Sequence, residues 1–460
     1  YPLSQKQDVG GKLSPVINRV FKGVNTYDPM MIDETYFTDM RNLSTDAFPA
    51  VSTRQGYTVL GTFGTTILGI SFWKNELHVI SNDGTWRRFK GGVWDTISAG
   101  VPTIRKWSFT VFQGSFDDIN LIAANGGTTL RYDGTTVSIL TGAPDGLNYL
   151  TTYSNRIWGA VGKELHSCQL DNAEVWNVFT ATDDDPFIKD TESMRGEDII
   201  MLSGSLNKLT IGMRNSLWEL YGDLTSNFTV KLIVDDVGIL NNESFCTQRG
   251  MMRIIDEQGI YDYSGGTLPD KEFSEIVGGY LKNIPGGTCA GADVDRLFFK
   301  KDIDATLVYD SRTGVNAWSV WNGIDPSVFG TLDNQVYIGD YQGRVLKLGG
   351  STDNGNDIHW YAVTKPFTND SVAQRMRWYK MFVVADLAEG STFKVDLSKS
   401  VDGNDWETMQ SITSGGLGSR RIIIPVSKYA LENYIRIRFS GTGHMKMHEY
   451  TRIQRQLPLE

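Results

Sequence analysis

The residues able to do chemistry are few and mostly scattered. Of the five histidines, His78, His166, His359, His444 and His448, the last two alone are close in sequence, in HMKMHE. That stretch alternates like a strand, where residues four apart share a face but stand about 13 Å apart at ~3.3 Å per residue. The pair is too far apart to share a metal ion within one strand, and structural or surface histidines are expected. Cys168, Cys246 and Cys289 are odd in number, distant and outside any C-x-x-C pair, which argues against a disulfide framework and against zinc. Buried free thiols are expected. The run Asp183, Asp184, Asp185 and Pro186 offers the carboxylate oxygens that calcium prefers but lacks the spaced D-x-[DN]-x-[DN]-G loop. It reads as a solvated loop, as does DNGND from Asp353 to Asp357.

Catalytic signatures are missing. There is no G-x-S-x-G, no Walker loop, no H-E-x-x-H and no G-x-G-x-x-G opening a helix. A glycosidase needs two carboxylates at a set separation, or a tyrosine nucleophile with an arginine cluster, and the acidic residues form no such constellation. The expectation is a protein without enzymatic activity, cofactor or metal. A net charge of -10 disfavours gripping nucleic acid through phosphates, which takes clustered Lys and Arg. It fits solubility, or a channel that lets DNA pass without sticking. No apolar run approaches the ~18 residues of a membrane span, and no basic then apolar leader opens the chain. A start at Tyr1 rather than Met is expected of a processed or trimmed product, or of an artificial start.

The elements that would position such residues are strands. With 40% hydrophobic residues and 48 Gly set in short clusters, the chain suits a globular protein with many tight turns. From about Leu68 one unit recurs: a β-type run, a turn with Gly or Asn, a second run carrying Leu, Trp or Tyr, and another turn. Copies read ILGISFWKNELHVISNDGTWRRFKGGVW from Ile67, WSFTVFQGSFDDINLIAANGGTTLRYDGTTVSIL from Trp107 and YLTTYSNRIWGAVGKELHSC from Tyr149. Further copies begin at Lys208, Met252, Asp295 and Val328. Starts lie about 40 to 50 residues apart, loosening between the third and fourth, which is the blade period of a β-propeller. NDG at Asn82 to Gly84 and NGG at Asn125 to Gly127 supply the positive φ of tight hairpins. One four-stranded blade cannot bury both faces, so copies must stack around an axis; a large sandwich of meanders is the alternative. Trp86, Trp158 and Trp218 on the alternating face point to packing between blades rather than to sugar platforms.

The expected fold is therefore all-β: an extended N-terminal arm over 1–56, a six- to seven-bladed propeller over 57–350, and an antiparallel β-sandwich over 351–460. The arm winds along the disk and feeds a strand near Tyr57 to Leu60 into the last blade, closing the ring. STDNGND after Gly350 reads as a linker, and RWYKMFVVADL, STFKVDLSKS, RRIIIPV and YIRIRFSG as sandwich strands. SNDGTW (Ser81 to Trp86) and SVDGNDW (Ser400 to Trp406) approximate the S-x-D-x-G-x-x-W box of sialidase-type propellers, a folding device that carries no catalysis.

The arm and layout resemble the packaged-DNA stabilisation, or tail-nozzle, proteins of tailed bacteriophages. The residues concerned are FKGVNTYDPMMIDETYFTDMRNL (Phe21 to Leu43), with its Arg41-Asn42 pair, then Pro49, Arg54, Gly56 and Tyr57 in P-x(4)-R-x-G-Y. LRYDGTTVSIL (Leu130 to Leu140) is similar to a blade segment of that family, and the closing IRIRFSG strand to its terminal sandwich. The DP-x(3)-D phrase of the arm is also similar to structural proteins of phages of Gram-positive hosts, some long-tailed. The resemblance implies a virion subunit, in a ring that is commonly hexameric, below portal and adaptor proteins. Such a ring extends the DNA conduit, retains packaged DNA without binding it specifically, and docks needle, fibre or spike proteins. It also implies Phe21, Asn25, Asp39, Arg41, Asn42 and Arg54 as residues of an assembly arm. A receptor-binding or baseplate propeller that recognises host glycan is the alternative reading.

Overall fold

The computed structural model describes residues 13–191, 196–368, 374–401, 403, 405–416, 418–426 and 432–456. The first 12 residues of the expected arm, and positions 402 and 404 of SVDGNDW, lie outside them. The chain is almost wholly β and forms two compact units, one of residues 59–306 and 323–348, the other of residues 1–58, 307–322 and 349–460. Among the described residues no helix is long and apolar enough to cross a membrane.

The larger unit is a succession of antiparallel meanders. Ile67–Trp73, Glu76–Ser81, Thr85–Lys90 and Val93–Ala99 pair in that order. Ser108–Phe112, Asn120–Ala124, Leu130–Tyr132 and Val137–Ile139 follow in the same way. Next come the sheets that open with Asn148–Tyr153 and Met201–Ser203, and the three-stranded sheet Phe245–Gln248, Met251–Asp256, Gly259–Tyr263. Cys289–Ala292 pairs with Arg296–Asp302. Pro326–Leu332, Gln335–Asp340 and Arg344–Leu348 form the last sheet, and Tyr57–Thr62, from the other end of the chain, is its outer strand. The ring-closing strand expected near Tyr57 to Leu60 thus takes this position.

Local chemistry explains the meander. At Lys74-Asn75, Ser154-Asn155 and Asp333-Asn334 both residues adopt left-handed φ, between 46° and 63°, which is the type I′ geometry of two-residue hairpins. All three sit between the first and second strands of their sheets, so the dipeptides KN, SN and DN are one turn repeated. Second strands such as Glu76–Ser81 and Asn120–Ala124 are buried at every position, as strands covered on both faces must be. Outer strands such as Val93–Ala99 are largely exposed.

Successive sheets pack face to face. Ile80 and Trp86 of the first sheet meet Trp107, Leu121 and Tyr132 of the second; Trp158 and Leu165 meet Leu209, Ile211 and Trp218; Met201 and Leu217 meet Met252 and Tyr263. The circuit closes where Val328 and Val345 of the last sheet pack on Ile67, Leu77 and Val79 of the first. Close approach at this closure needs glycine: a Cβ on Gly330 would lie 2.6 Å from Ile70 Cγ2. Four-stranded antiparallel sheets stacked around a closed circuit are the arrangement of a β-propeller.

The smaller unit contains two antiparallel sheets. One orders Leu43–Ser44, Val51–Thr53, Met445–Gln456, Met376–Leu387 and Gly418–Ile424, with Ser14–Asn18 also paired to Met445–Gln456. The other orders Phe37–Arg41, His359–Thr364, Arg436–Thr442, Thr392–Ser398 and Glu407–Thr413. Aromatic rings join them: Phe439 of the second sheet lies 5.5 Å from Tyr450 of the first, and Phe21 bridges the two, 5.8 Å from Phe37 and 6.1 Å from Tyr450. Described residues of the segment read as an arm therefore supply strands to the same sheets as the C-terminal hundred residues. The stretch read as a linker is a turn, closed by Asp353 N–H donating to Asn356 O at 2.8 Å.

Candidate binding groove and ring cavity

Four of the six arm residues are interior to the smaller unit. Phe21, Asn25, Asn42 and Arg54 are buried. Arg54 is the hub: its Nη1 and Nη2 donate to Asp353 Oδ1 and Oδ2 at 2.8 and 2.7 Å, its Nε to Asn42 Oδ1 at 2.9 Å, and its Nη2 also to Asn322 O at 2.9 Å. Asn42, at a left-handed φ of 54°, donates in turn to His359 O at 2.8 Å. Asn25 Oδ1 accepts the Tyr27 N–H at 2.9 Å, closing a local turn.

Asp39 and Arg41 lie elsewhere, on the polar face of the second sheet. Arg41 pairs with Asp39 at 2.7 Å, and the Tyr361 hydroxyl donates to Asp39 at 2.8 Å. Burial and the Asp39 carboxylate push the Tyr361 hydroxyl up to about 12. Strand alternation then sets one row across all five strands: Arg41 opposite Tyr361, Tyr361 opposite Ser440, Ser440 opposite Lys394, and Lys394 opposite Ser411. In the row beside it Arg438 faces Asp396 and holds it at 2.8 Å, with Lys394 at 3.0 Å. Burial alone would raise Asp396, but hydrogen bonds from Arg438, Thr408 and Lys394 outweigh it and hold the carboxyl below its usual range. Trp406 stands beside this row with the Arg438 guanidinium 4.7 Å from its ring. These residues line a groove of about 810 Å³, within the size range of ligand sites.

The larger unit has its own cavity, of about 350 Å³, into which the first strands of the successive sheets each bring a residue: Ser71, Ser108, Thr151, Ser203, Phe245, Ala290 and Phe329. Glu243 also lines it; burial raises its carboxyl, opposed by the Lys106 ammonium 3.9 Å away.

Among the described residues no three His, Cys, Asp or Glu side chains group to hold a metal. The Asp183 to Asp185 run is organised by Arg156, fully buried, whose guanidinium takes the backbone carbonyls of all three aspartates. The Asp185 carboxylate is occupied by its own loop, accepting the N–H groups of Thr180 and Ala181 at 2.7 Å and both threonine hydroxyls. His448 pairs with Asp386 at 2.7 Å and His166 with Glu164 at 2.9 Å. His359 borders the groove. His78 is enclosed by Trp73, Trp86 and Tyr132; burial lowers it to about 4. All three thiols are buried and free, and burial pushes each up to about 12. In SNDGTW, Asp83 accepts the Ser81 hydroxyl at 2.6 Å and the Thr85 N–H at 3.0 Å over a buried Trp86, a hairpin device.

Sequence reasoning missed the groove. Its signal was the run of outward polar residues at spacing two, Arg436, Arg438, Ser440 and Thr442, within one strand.

No protein-family model matches the chain, and no curated protein matches it. Solved structures do, weakly. BamB from Moraxella catarrhalis is 9% identical, with a TM-score of 0.43 over 62% of this chain and 83% of that one. The computationally designed Ika8 protein is 12% identical, with a TM-score of 0.39 over 64% of this chain and 100% of its own. The extracellular domain of the putative one component system BT4673 from B. thetaiotaomicron is 10% identical, with a TM-score of 0.44 over 90% and 64%.

Proposed function

We propose that the chain is a non-enzymatic structural subunit of a tailed-phage virion, a tail nozzle or hub component that assembles with copies of itself, a hexameric ring being the expected form. Its propeller has seven blades, counted by their inner strands: Ile67–Trp73, Ser108–Phe112, Asn148–Tyr153, Met201–Ser203, Phe245–Gln248, Cys289–Ala292 and Pro326–Leu332. The two sheets of the other unit are the faces of an antiparallel β-sandwich.

The observation that carries this reading is the fate of the phrase resembling nozzle proteins. Phe21, Asn42 and Arg54 are built into the frame of the smaller unit, as suits a motif that specifies architecture. The ring cavity adds a constraint. At about 350 Å³ it is the size of a small-ligand pocket, too small for a duplex whose major groove alone is about 12 Å wide. A DNA conduit would therefore run between subunits, with portal and adaptor proteins above and needle, fibre or spike proteins docked below. The acidic balance, -10, suits DNA that passes without being held.

Light scattering and electron microscopy of the purified chain, alone and mixed with the portal and adaptor proteins of its phage, test the proposal. Closed rings in either sample support it. A chain that stays monomeric in both overturns it.

A further inference from the structure

We infer that the groove on the five-stranded sheet of the smaller unit is a binding site for an acidic oligosaccharide. The inference stands apart from the assembly role proposed above, because every residue it uses lies within one chain.

Size and shape come first. The row from Arg41 to Ser411 crosses five strands, which at about 4.8 Å per strand gives a floor roughly 19 Å long, long enough for an extended oligomer. Charge comes next. Arg41, Lys394, Arg436 and Arg438 line the groove, against Asp39 in its lining and Asp396 paired with Arg438 in the adjoining row. On a chain of net charge -10 this is a local excess of cations, and guanidinium forks are suited to carboxylate and phosphate groups.

The ligand is nevertheless not a dense polyanion. Arg41 is held by Asp39, and Arg438 and Lys394 by Asp396, so acceptors alternate with donors along the floor. Hydroxyls of Tyr361, Ser440, Thr392 and Ser411 fill the places between. That mixture matches a chain of neighbouring hydroxyls with an acidic group at intervals. Trp406, flanked by Arg438 at 4.7 Å and Arg436 at 5.9 Å, supplies a flat wall for the C–H face of a sugar ring.

Titration calorimetry of the purified chain with oligogalacturonate tests this, with neutral dextran oligomer and single-stranded oligo-dT as comparison ligands. The expected result is saturable binding of oligogalacturonate, at least tenfold weaker for dextran and for oligo-dT. Trp406→Ala and Lys394→Gln should each weaken it at least tenfold while keeping the melting temperature and oligomeric state of the parent. Should Trp406→Ala unfold, Trp406→Phe, retaining a ring, should keep most of the affinity while Lys394→Gln still loses it. Absence of oligogalacturonate binding, equal binding of oligo-dT, or affinity unchanged in Lys394→Gln overturns the inference. None of these outcomes depends on whether rings form.

Discussion

Arg54 and Asp353 form a two-pronged ion pair, at 2.8 and 2.7 Å, in which the arginine side chain is completely shielded from solvent. The pair joins residues 299 apart in sequence. Removing one partner of a buried pair leaves the other uncompensated, which costs about 3–5 kcal/mol. Arg54→Ala is therefore expected to lower unfolding free energy by that amount in denaturant titrations. Arg54→Lys should recover only part of the loss, because an ammonium lacks the fork that also reaches Asn42 and Asn322. Equal stability of Arg54→Ala and parent would remove the hub.

His78 makes the larger unit acid-sensitive. Burial among Trp73, Trp86 and Tyr132 lowers it to about 4 from 6.5, against the opposing pull of Glu76 and with Arg88 adding to the lowering. Its Nδ1 accepts the Trp86 N–H at 3.2 Å, so the folded protein holds it neutral. The unfolded chain binds a proton near pH 6.5 and the folded one only near 4. This contribution is complete above pH 6.5, shrinks as pH falls through that window, and is gone below 4. At about 1.4 kcal/mol per pH unit the loss is on the order of 3 kcal/mol. His78→Phe, which keeps a ring but no proton site, should unfold with a flatter dependence on pH between 6.5 and 4. A slope identical to that of the parent would show that His78 does not carry the effect.

How much of this was legible follows from the range of each interaction. The blade period and the Gly- or Asn-bearing turns are local, so the succession of meanders could be read directly, although the repeated KN, SN and DN dipeptides emerged only from the backbone angles. Pairing of Ser14–Asn18 with Met445–Gln456 could not, since alternation shows that a strand exists and says nothing of which strand lies beside it. The same limit hid the groove: Asp39 and Arg41 meet Arg438 and Lys394 only once register is set across strands more than 300 residues apart. Arg54 stood out in the sequence as part of a motif, yet its partner sat in a stretch whose Gly and Asn content read as a linker. The aromatic residues divided in a similar way. Trp86, Trp158 and Trp218 are packed between sheets as their alternation implied, whereas Trp406 lies outside any strand and had no period to place it.

The thiols should be inert. Cys168, Cys246 and Cys289 are buried, and with each pushed up to about 12 by burial the thiolate that reacts is scarce at pH 8. A disulfide reagent is expected to label none of them within minutes in the folded protein and all three in guanidinium. Rapid labelling of any one before unfolding would mean that its sheet opens locally.

The loop at Asp183 to Asp185 should ignore calcium. Asp185 already accepts from Thr180, Ala181 and Thr182, and these hydrogen bonds hold its carboxyl down at about 2. Arg156 occupies the three backbone carbonyls, so a cation would have to displace a guanidinium to reach them. Millimolar calcium, and its removal by chelator, are each expected to leave the melting temperature unchanged. Asp185→Asn would keep one carbonyl acceptor and lose the charge, and Asp185→Ala would leave the Thr180 and Ala181 N–H groups without their acceptor. Stability should fall in that order. Calcium-dependent stabilisation of the parent that vanishes in Asp185→Ala would instead make the loop a metal site.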